Sequence, residues 1–280
     1  MMRDDDDICR QSPVRPQQLA LGDLFHIAGQ QQRVRSGGDA ENARCVVTLV
    51  RREARRVQDL ELDPALPPSL TAQTRPRLDA GQRFAGDVQA AYRVEWLRAS
   101  QDNTNPPSTA FTLDQGECVR YGDVVDEVFA ADGAGALRIS VDAGEVMVTS
   151  RTYNDDPGGT YGQFIAGFPE DEALVSGDQG LLIGLSHGTD SRTNIGLASA
   201  CGAPISVDVT LLAADGVQLG QRSVELAPYS YDQVTDIFGD FTTSEVEHGF
   251  AVVESSSPGA RYMAYASVID NRTGDATYIP

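Results

Sequence analysis

The chain has 280 residues and a formal net charge of −19. The charge is uneven, because residues 1–100 hold 15 Arg against 14 acids whereas residues 101–280 hold 7 Arg against 27 acids. So acidic a surface argues against nucleic-acid partners, whose phosphates require a basic footprint, and against anionic membranes. No apolar run in the sequence approaches the ~20 residues of a membrane span.

Residues 1–90 are predicted to be an irregular or weakly ordered N-terminal region, because they are rich in Arg, Gln, Asp and Pro and show little periodicity. Within them, residues 18–30 suggest a short amphipathic helix and residues 45–50 a strand. The first residues are acidic and contain no apolar segment, so no signal peptide is visible.

Residues 91–170 are predicted to form a first β-sandwich unit. Alternating apolar residues indicate strands, and the sequence between Asn154 and Gly159 has the Asn, Asp, Pro and Gly composition of a turn. The strands are predicted at 92–98, 108–113, 135–141 and 145–153, with a helical turn at 121–129.

Residues 178–280 are predicted to form a second, more complete unit. Residues 204–212 alternate most clearly, and Asp215-Gly216 then predicts a hairpin turn. The apolar parity changes in the returning strand, so Gly220 is expected to mark a β-bulge. The other strands are predicted at 180–186, 192–199, 217–226, 249–254, 261–269 and 276–280, with a helical turn at 232–238.

The two units repeat each other in sequence. The matches keep their order and spacing, and about seven short strands in the second unit are typical of an immunoglobulin-like sandwich. The first unit has no evident counterpart of the 207–219 hairpin and is expected to be incomplete. The predicted fold is therefore all-β, with two tandem immunoglobulin-like β-sandwich units after an irregular N-terminal region. The matched pairs are Leu113 with Leu226, Asp123 with Asp236, Val124 with Ile237, Ser150 with Ser267 and Asn154 with Asn271.

Three segments resemble a family of uncharacterised secreted bacterial proteins that carry paired β-sandwich modules. They are Ser150 to Asn154, Arg192 to Asn194, and Gly274-Asp275, and the resemblance covers about residues 110–280. It implies an extracellular or cell-envelope location, and it implies no catalytic residue.

Four cysteines, Cys9, Cys45, Cys118 and Cys201, lie far apart and form no CxxC motif. Isolated thiols in or near a core are the favoured interpretation, and disulfides are the alternative. The three histidines, His26, His187 and His248, have no metal-ligand spacing, and we expect surface or structural positions for them.

Residues Gly184 to Gly188 match the G-x-S-x-G pattern that places a nucleophilic serine on a strand-to-helix turn. Another strand, and no helix, is predicted to follow Ser186. A surface β-turn is therefore favoured, and a serine hydrolase is a remote alternative.

The acidic turns are the better candidates for a ligand site. Asp155 and Asp156 in the first unit, and Asp270 and Asp275 in the second, supply the carboxylate oxygens that Ca²⁺ prefers. The alternative is plain turn chemistry, in which Asx side chains accept hydrogen bonds from nearby N–H groups. Calcium is the only cofactor that the sequence suggests.

Two further sets of side chains have structural and binding interpretations. Arg151 and Arg192 are expected to form structural ion pairs rather than to bind a ligand. A glycan-stacking patch of exposed tyrosines is the less favoured alternative to partial burial of these rings in the core. The tyrosines are Tyr153, Tyr161, Tyr229, Tyr231, Tyr262, Tyr265 and Tyr278.

The sequence thus predicts a non-enzymatic extracellular or cell-envelope module that acts as a spacer, adhesion or binding domain. A calcium-supported carbohydrate-binding pair is the alternative. The expected partner is a cell-surface protein or a glycan.

Overall fold

The computed structural model describes the backbone of residues 24–26, 43–51, 89–114, 116–144, 146–156 and 159–280. Side chains are described in these ranges except at 24–26, 43–51 and 154–160. The described chain is almost entirely β, as predicted, and forms several antiparallel sheets. None of its helices has the length and hydropathy needed to cross a membrane.

The first unit is built from two sheets. Sheet 1A has the strand order β4-β3-β6-β1-β9 and sheet 1B the order β5-β2-β7-β8. The elements are β1 (Leu24–His26), β2 (Ala43–Arg51), β3 (Ala90–Arg98), β4 (Ser108–Leu113), β5 (Cys118–Tyr121), α1 (Val124–Phe129), β6 (Gly135–Ala143), β7 (Val146–Asp156), β8 (Gly159–Ile165) and β9 (Gly167–Pro169).

The second unit also has two sheets. Sheet 2A has the order β14-β13-β16-β11, and sheet 2B has the order β15-β12-β17, with β10 and β18 both pairing with β17. The strands are β10 (Leu174–Val175), β11 (Gln179–His187), β12 (Ser191–Ser199), β13 (Ile205–Leu212), β14 (Gln218–Leu226), β15 (Tyr231–Val234), β16 (Val246–Glu254), β17 (Arg261–Asp270) and β18 (Ala276–Ile279). Short 3-10 helices span Glu170–Glu172 and Ile237–Asp240.

The two units have the same strand order. Each of β1 to β8 occupies the position of the strand numbered ten higher, and α1 corresponds to the 3-10 helix Ile237–Asp240. The sequence repeat therefore coincides with a structural repeat. In the strand pair β7 and β17, the structural alignment differs from the sequence match by one residue. Phe164 pairs with Arg151 and Tyr278 with Ser267, which aligns Ser267 with Arg151 rather than with Ser150.

The first unit is more complete than the sequence predicted. Its β3–β4 hairpin is the counterpart of β13–β14, since Ala90 pairs with Leu113 as Ile205 pairs with Leu226. Its first two strands lie before residue 91, at 24–26 and 43–51, so the strand predicted at 45–50 is present within β2. Residues 24–26, predicted within a helix, are a strand.

The strand order differs from that of an immunoglobulin domain. Counted from β11, the seventh strand of the second unit is β17, and it lies beside the second strand, β12. In the immunoglobulin fold the seventh strand belongs to the sheet of the third and sixth. The immunoglobulin-like detail of the prediction is therefore not confirmed.

The core of the second unit follows from the alternation in β13. Ile205, Val207, Val209 and Leu211 are buried between the two sheets, and burying each such side chain stabilises the fold by roughly 1.5–3 kcal/mol. The predicted bulge in β14 is present. Leu211 pairs with Gly220 and Leu212 with Gln218, which leaves one extra residue in β14.

The cysteines differ from the favoured interpretation at one position. Cys118 is a free, exposed thiol. Cys201 is fully buried in the second core and is disulfide-bonded. The prediction of isolated thiols is therefore wrong for Cys201.

Candidate functional site

A polar pocket of about 440 Å³ opens at one end of the second unit. It lies where the turn between β11 and β12 faces the start of β16. Hydroxyl, imidazole and carboxylate groups dominate its lining, which suits a polar or cationic ligand rather than an anion. The lining residues are Gly184, Ser186, His187, Gly188, Thr189, Asp190, Ser191, Glu245, Val246, Glu247 and His248.

Ser186 lines this pocket but does not occupy a nucleophile elbow. It lies near the end of β11, which is bulged at Gly184 (φ 79°), and strand β12 follows directly. The Ser186 and Ser191 hydroxyl oxygens are 2.8 Å apart, and the Ser186 N–H donates to the Thr193 hydroxyl. The strand-to-helix turn that the G-x-S-x-G chemistry requires is not formed here, and neither is the predicted simple β-turn.

His187 forms a pair with Asp236 that sequence reasoning missed. Its Nδ1 lies 2.8 Å from Asp236 Oδ1, its side chain is only 13% exposed, and its ring packs near Phe238. In the first unit the matching residue, Asp123, caps α1 instead. His187 bonds to Asp236, whereas the Ser186 hydroxyl oxygen lies 2.8 Å from that of Ser191, so the two side chains engage different partners rather than each other.

The turn after β17 shows the hydrogen bonding of an Asx turn. Asp270 Oδ1 accepts hydrogen bonds from the backbone N–H groups of Arg272 (2.7 Å) and Thr273 (2.9 Å). The bonds from Thr273 and Arg272 hold the pKa of Asp270 below its usual value. Asn271 accepts a hydrogen bond from Arg192, at 2.6 Å. Turn chemistry, the favoured alternative, therefore accounts for Asp270.

Asp275 has a different role, because it reaches the other unit. Its Oδ1 accepts a hydrogen bond of 3.2 Å from the Gly162 N–H in β8. The side chains of Asp155 and Asp156, at the end of β7, lie outside those that the structure describes. Among described side chains, no group of three or more His, Cys, Asp or Glu residues is placed to hold a metal ion. Calcium binding stays a prediction.

Two other sets of side chains were singled out in the sequence. Arg192 donates a hydrogen bond to Asn271, and Arg151 lies over the ring of Tyr153 at 5.4 Å. The structural ion pairs expected for both arginines stay predictions. The tyrosines form no exposed patch, because three are buried and the others half-buried. The buried ones are Tyr231, Tyr262 and Tyr265; the half-buried ones are Tyr153, Tyr161, Tyr229 and Tyr278.

A buried interface joins the two units. The outer face of sheet 1A, at Leu97 and Ala136, packs against the outer face of sheet 2B, at Met263 and Tyr265. Sheet 2B is therefore buried on both faces. The buried members of this inter-unit cluster are Leu97, Ala136, Ile165, Ala173, Ala198, Ala200, Tyr231, Met263 and Tyr265.

Hydrogen bonds fix the orientation of the units. The Tyr231 and Tyr265 hydroxyl oxygens lie 2.9 Å apart inside the cluster, and Gln163 donates to Ser267 across the interface at 2.6 Å. Burial raises the pKa of Tyr265 to about 12 and that of Tyr231 well above its usual value. Both rings are therefore neutral at physiological pH and keep their hydroxyl pair.

Asn103 holds the segment after β3 in place at the interface through hydrogen bonds. Its side-chain amide donates to the carbonyls of Arg98, Gln101 and Tyr229, so one buried residue ties both units together. The Asn103 N–H donates to Pro228 O, and the Ser100 N–H donates to Tyr231 O. Such satisfied buried groups hold a single arrangement, since breaking any of them leaves an unpaired polar atom.

Gly196 makes room for the tyrosine at the centre of the cluster. It pairs with Tyr265 across β12 and β17, and a Cβ at this position would lie 2.0 Å from Cε1 of the Tyr265 ring. Only glycine allows the ring to lie flat on the β12 backbone.

Comparison of the chain with protein-family models, with curated proteins and with solved structures found no match.

Proposed function

We propose that the chain is a non-enzymatic extracellular or cell-envelope module whose two β-sandwich units form one rigid body. As a spacer it sets a fixed distance and angle between whatever is attached to its ends, and as an adhesion or binding domain it presents loops from a rigid frame. The inter-unit cluster carries this proposal. Domains in one chain move relative to each other by default, unless their interface is large and apolar.

Three observations support this proposal, and two of them concern the location outside the cytoplasm. The disulfide at Cys201 is a feature of oxidising compartments. The strongly acidic surface of residues 101–280 favours solubility and opposes nucleic-acid binding. The segments around Arg192 and Ser150 resemble those of secreted bacterial proteins.

Fractionation of the native cells tests the proposal. We expect the protein in the envelope or the medium, with Cys201 protected from alkylation until a reductant is added to the denatured protein. Cys118, which is free and exposed, is the internal control and should be alkylated without reduction. Protein confined to the cytoplasm, with both cysteines alkylated before reduction, would contradict the proposal.

A calcium-supported carbohydrate-binding pair is the second candidate, and the position of Asp275 favours it. Asp275 contacts β8, and β8 pairs with β7, the strand that ends at Asp155 and Asp156. This candidate predicts that millimolar Ca²⁺ raises the Tm and that Asp155→Ala or Asp275→Ala abolishes the rise. Asp215→Ala, in a separate turn, is the matched control. An unchanged Tm in wild-type protein would exclude calcium.

A further inference from the structure

The outer face of sheet 2A carries an apolar stripe that crosses three strands. On the edge strand β11, Leu181 and Ile183 are 61% and 64% exposed. Val252 and Phe250 lie opposite them on β16, and Leu212 lies opposite Phe250 on β13. A contiguous apolar patch on a soluble protein usually marks an interaction surface.

The first unit buries the equivalent surface. Leu97 pairs with Ala136 across β3 and β6, as Leu212 pairs with Phe250 across β13 and β16. Leu97 and Ala136 are buried in the inter-unit cluster, whereas Leu212 and Phe250 remain partly exposed. The second unit therefore repeats, at its own surface, the face through which the first unit docks.

The complementary half of the interface is also repeated. Met263 and Tyr278, on the outer face of sheet 2B, pack against the first unit. With the strand alignment given above, their counterparts on the outer face of sheet 1B are Met147 and Phe164. These side chains are 51% and 55% exposed. The outer face of sheet 1B thus resembles the outer face of sheet 2B, which contacts the first unit.

The charges on the two exposed faces are opposite. Arg120 and Arg151 lie on the outer face of sheet 1B, on the same side as Met147. Asp208 and Glu254 lie opposite each other on the outer face of sheet 2A, beside the apolar stripe. In a chain with a net charge of −19, two arginines on one apolar face favour one orientation of approach.

We propose that copies of this chain assemble head to tail, with the outer face of sheet 2A of one copy on the outer face of sheet 1B of the next. The contact between copies repeats the contact between the two units within one chain. It joins two different surfaces, so it is heterologous, and each added copy again presents a free face. The assembly is therefore open-ended, and its occupant is a second copy of this chain.

The proposal is tested by substitutions that block one face or the other in the full chain. Sedimentation experiments across a concentration series measure the size of the species formed. Wild-type protein is expected to form dimers and then larger species. Leu181→Asp with Ile183→Asp blocks one face, and Met147→Asp with Phe164→Asp blocks the other. Each blocked chain alone should stay monomeric, while their mixture should form 1:1 dimers and nothing larger. Circular dichroism and the Tm establish that the blocked chains are folded.

Charge exchange provides a second test that leaves the apolar residues in place. Asp208→Arg with Glu254→Arg, and Arg120→Glu with Arg151→Glu, should each weaken self-association about tenfold or more, because like charges then face each other. A mixture of the two charge-exchanged proteins should recover wild-type affinity. If neither charge exchange changes the affinity of self-association, the assignment of the two faces is contradicted.

Two results would overturn the head-to-tail arrangement. One is a wild-type chain that stays monomeric throughout the concentration series. The other is a closed dimer that the changes at Leu181 and Ile183 abolish and the changes at Met147 and Phe164 leave intact. That second result would assign the β11 edge to two-fold pairing between copies instead.

Discussion

Replacing Gly196 with alanine is expected to lower the free energy of unfolding by about 2–3 kcal/mol, the range of a severe overpacking change. The new Cβ would lie 2.0 Å from Cε1 and 2.8 Å from the hydroxyl oxygen of Tyr265, so the ring has to leave its position. Tyr231 then loses its 2.9 Å hydroxyl partner inside the cluster. Urea unfolding, followed by circular dichroism, measures the loss.

A double-mutant cycle separates this steric effect from a general intolerance of alanine in β12. In a Tyr265→Ala background the ring is absent, so Gly196→Ala should cost little or nothing. The same cost in both backgrounds would contradict the assignment of the effect to the Gly196–Tyr265 contact.

Raising the pH from 10 to 12 is expected to remove roughly 2 kcal/mol of stability through Tyr265. Its folded pKa is about 12 and its ordinary value is 10.0. Between these values the unfolded chain loses the proton while the folded chain retains it. The contribution is therefore fully present below pH 10 and declines as the pH rises through 12. The pKa of Tyr231 is raised as well, which acts in the same direction.

Urea midpoints at a series of alkaline pH values measure this loss. Tyr265→Phe should make the decline shallower, since the ring stays and the titrating group is gone. Tyr153→Phe, which lies outside the inter-unit cluster, is the control and should leave the decline unchanged. An equal decline in wild-type and Tyr265→Phe proteins would show that Tyr265 is not responsible.

Alternation predicted strands in which apolar residues face the core of a sandwich and polar residues face away from it. Residues 205–212 show this most clearly, with buried and partly exposed positions alternating along β13. The turn at Asp215-Gly216 and the bulge next to Gly220 followed from local backbone chemistry. Strand β15 was assigned to a helical turn, because four residues are too few to show a period.

The interface between the units could not be predicted in the same way. Alternation indicates which residues of a strand share a face, but it does not indicate what covers that face. In strand β12, Thr193 to Ser199 are buried without interruption, as expected of a strand that is covered on both faces. Thr193, Asn194, Gly196 and Ser199 break any apolar run in the sequence, so the sequence did not indicate this burial. His187 and Asp236 are 49 residues apart, and only the folded chain brings them together.

The opening strand of the first unit was also missed, because it is weak in sequence. Strand β1 has three residues, and no period can be read from Leu24–His26. Topology identifies it instead, since β1 pairs with β6 as β11 pairs with β16. The repeat was therefore visible in sequence only where both copies have long strands.

Scanning calorimetry of the intact chain tests most directly whether the two units form one rigid body. A buried, hydrogen-bonded interface should make them unfold together, in a single transition whose calorimetric and van't Hoff enthalpies agree. The Gly196→Ala protein should split this transition into two. Two separate transitions in the wild-type chain, unchanged by Gly196→Ala, would contradict a rigid tandem module and favour two independently moving domains.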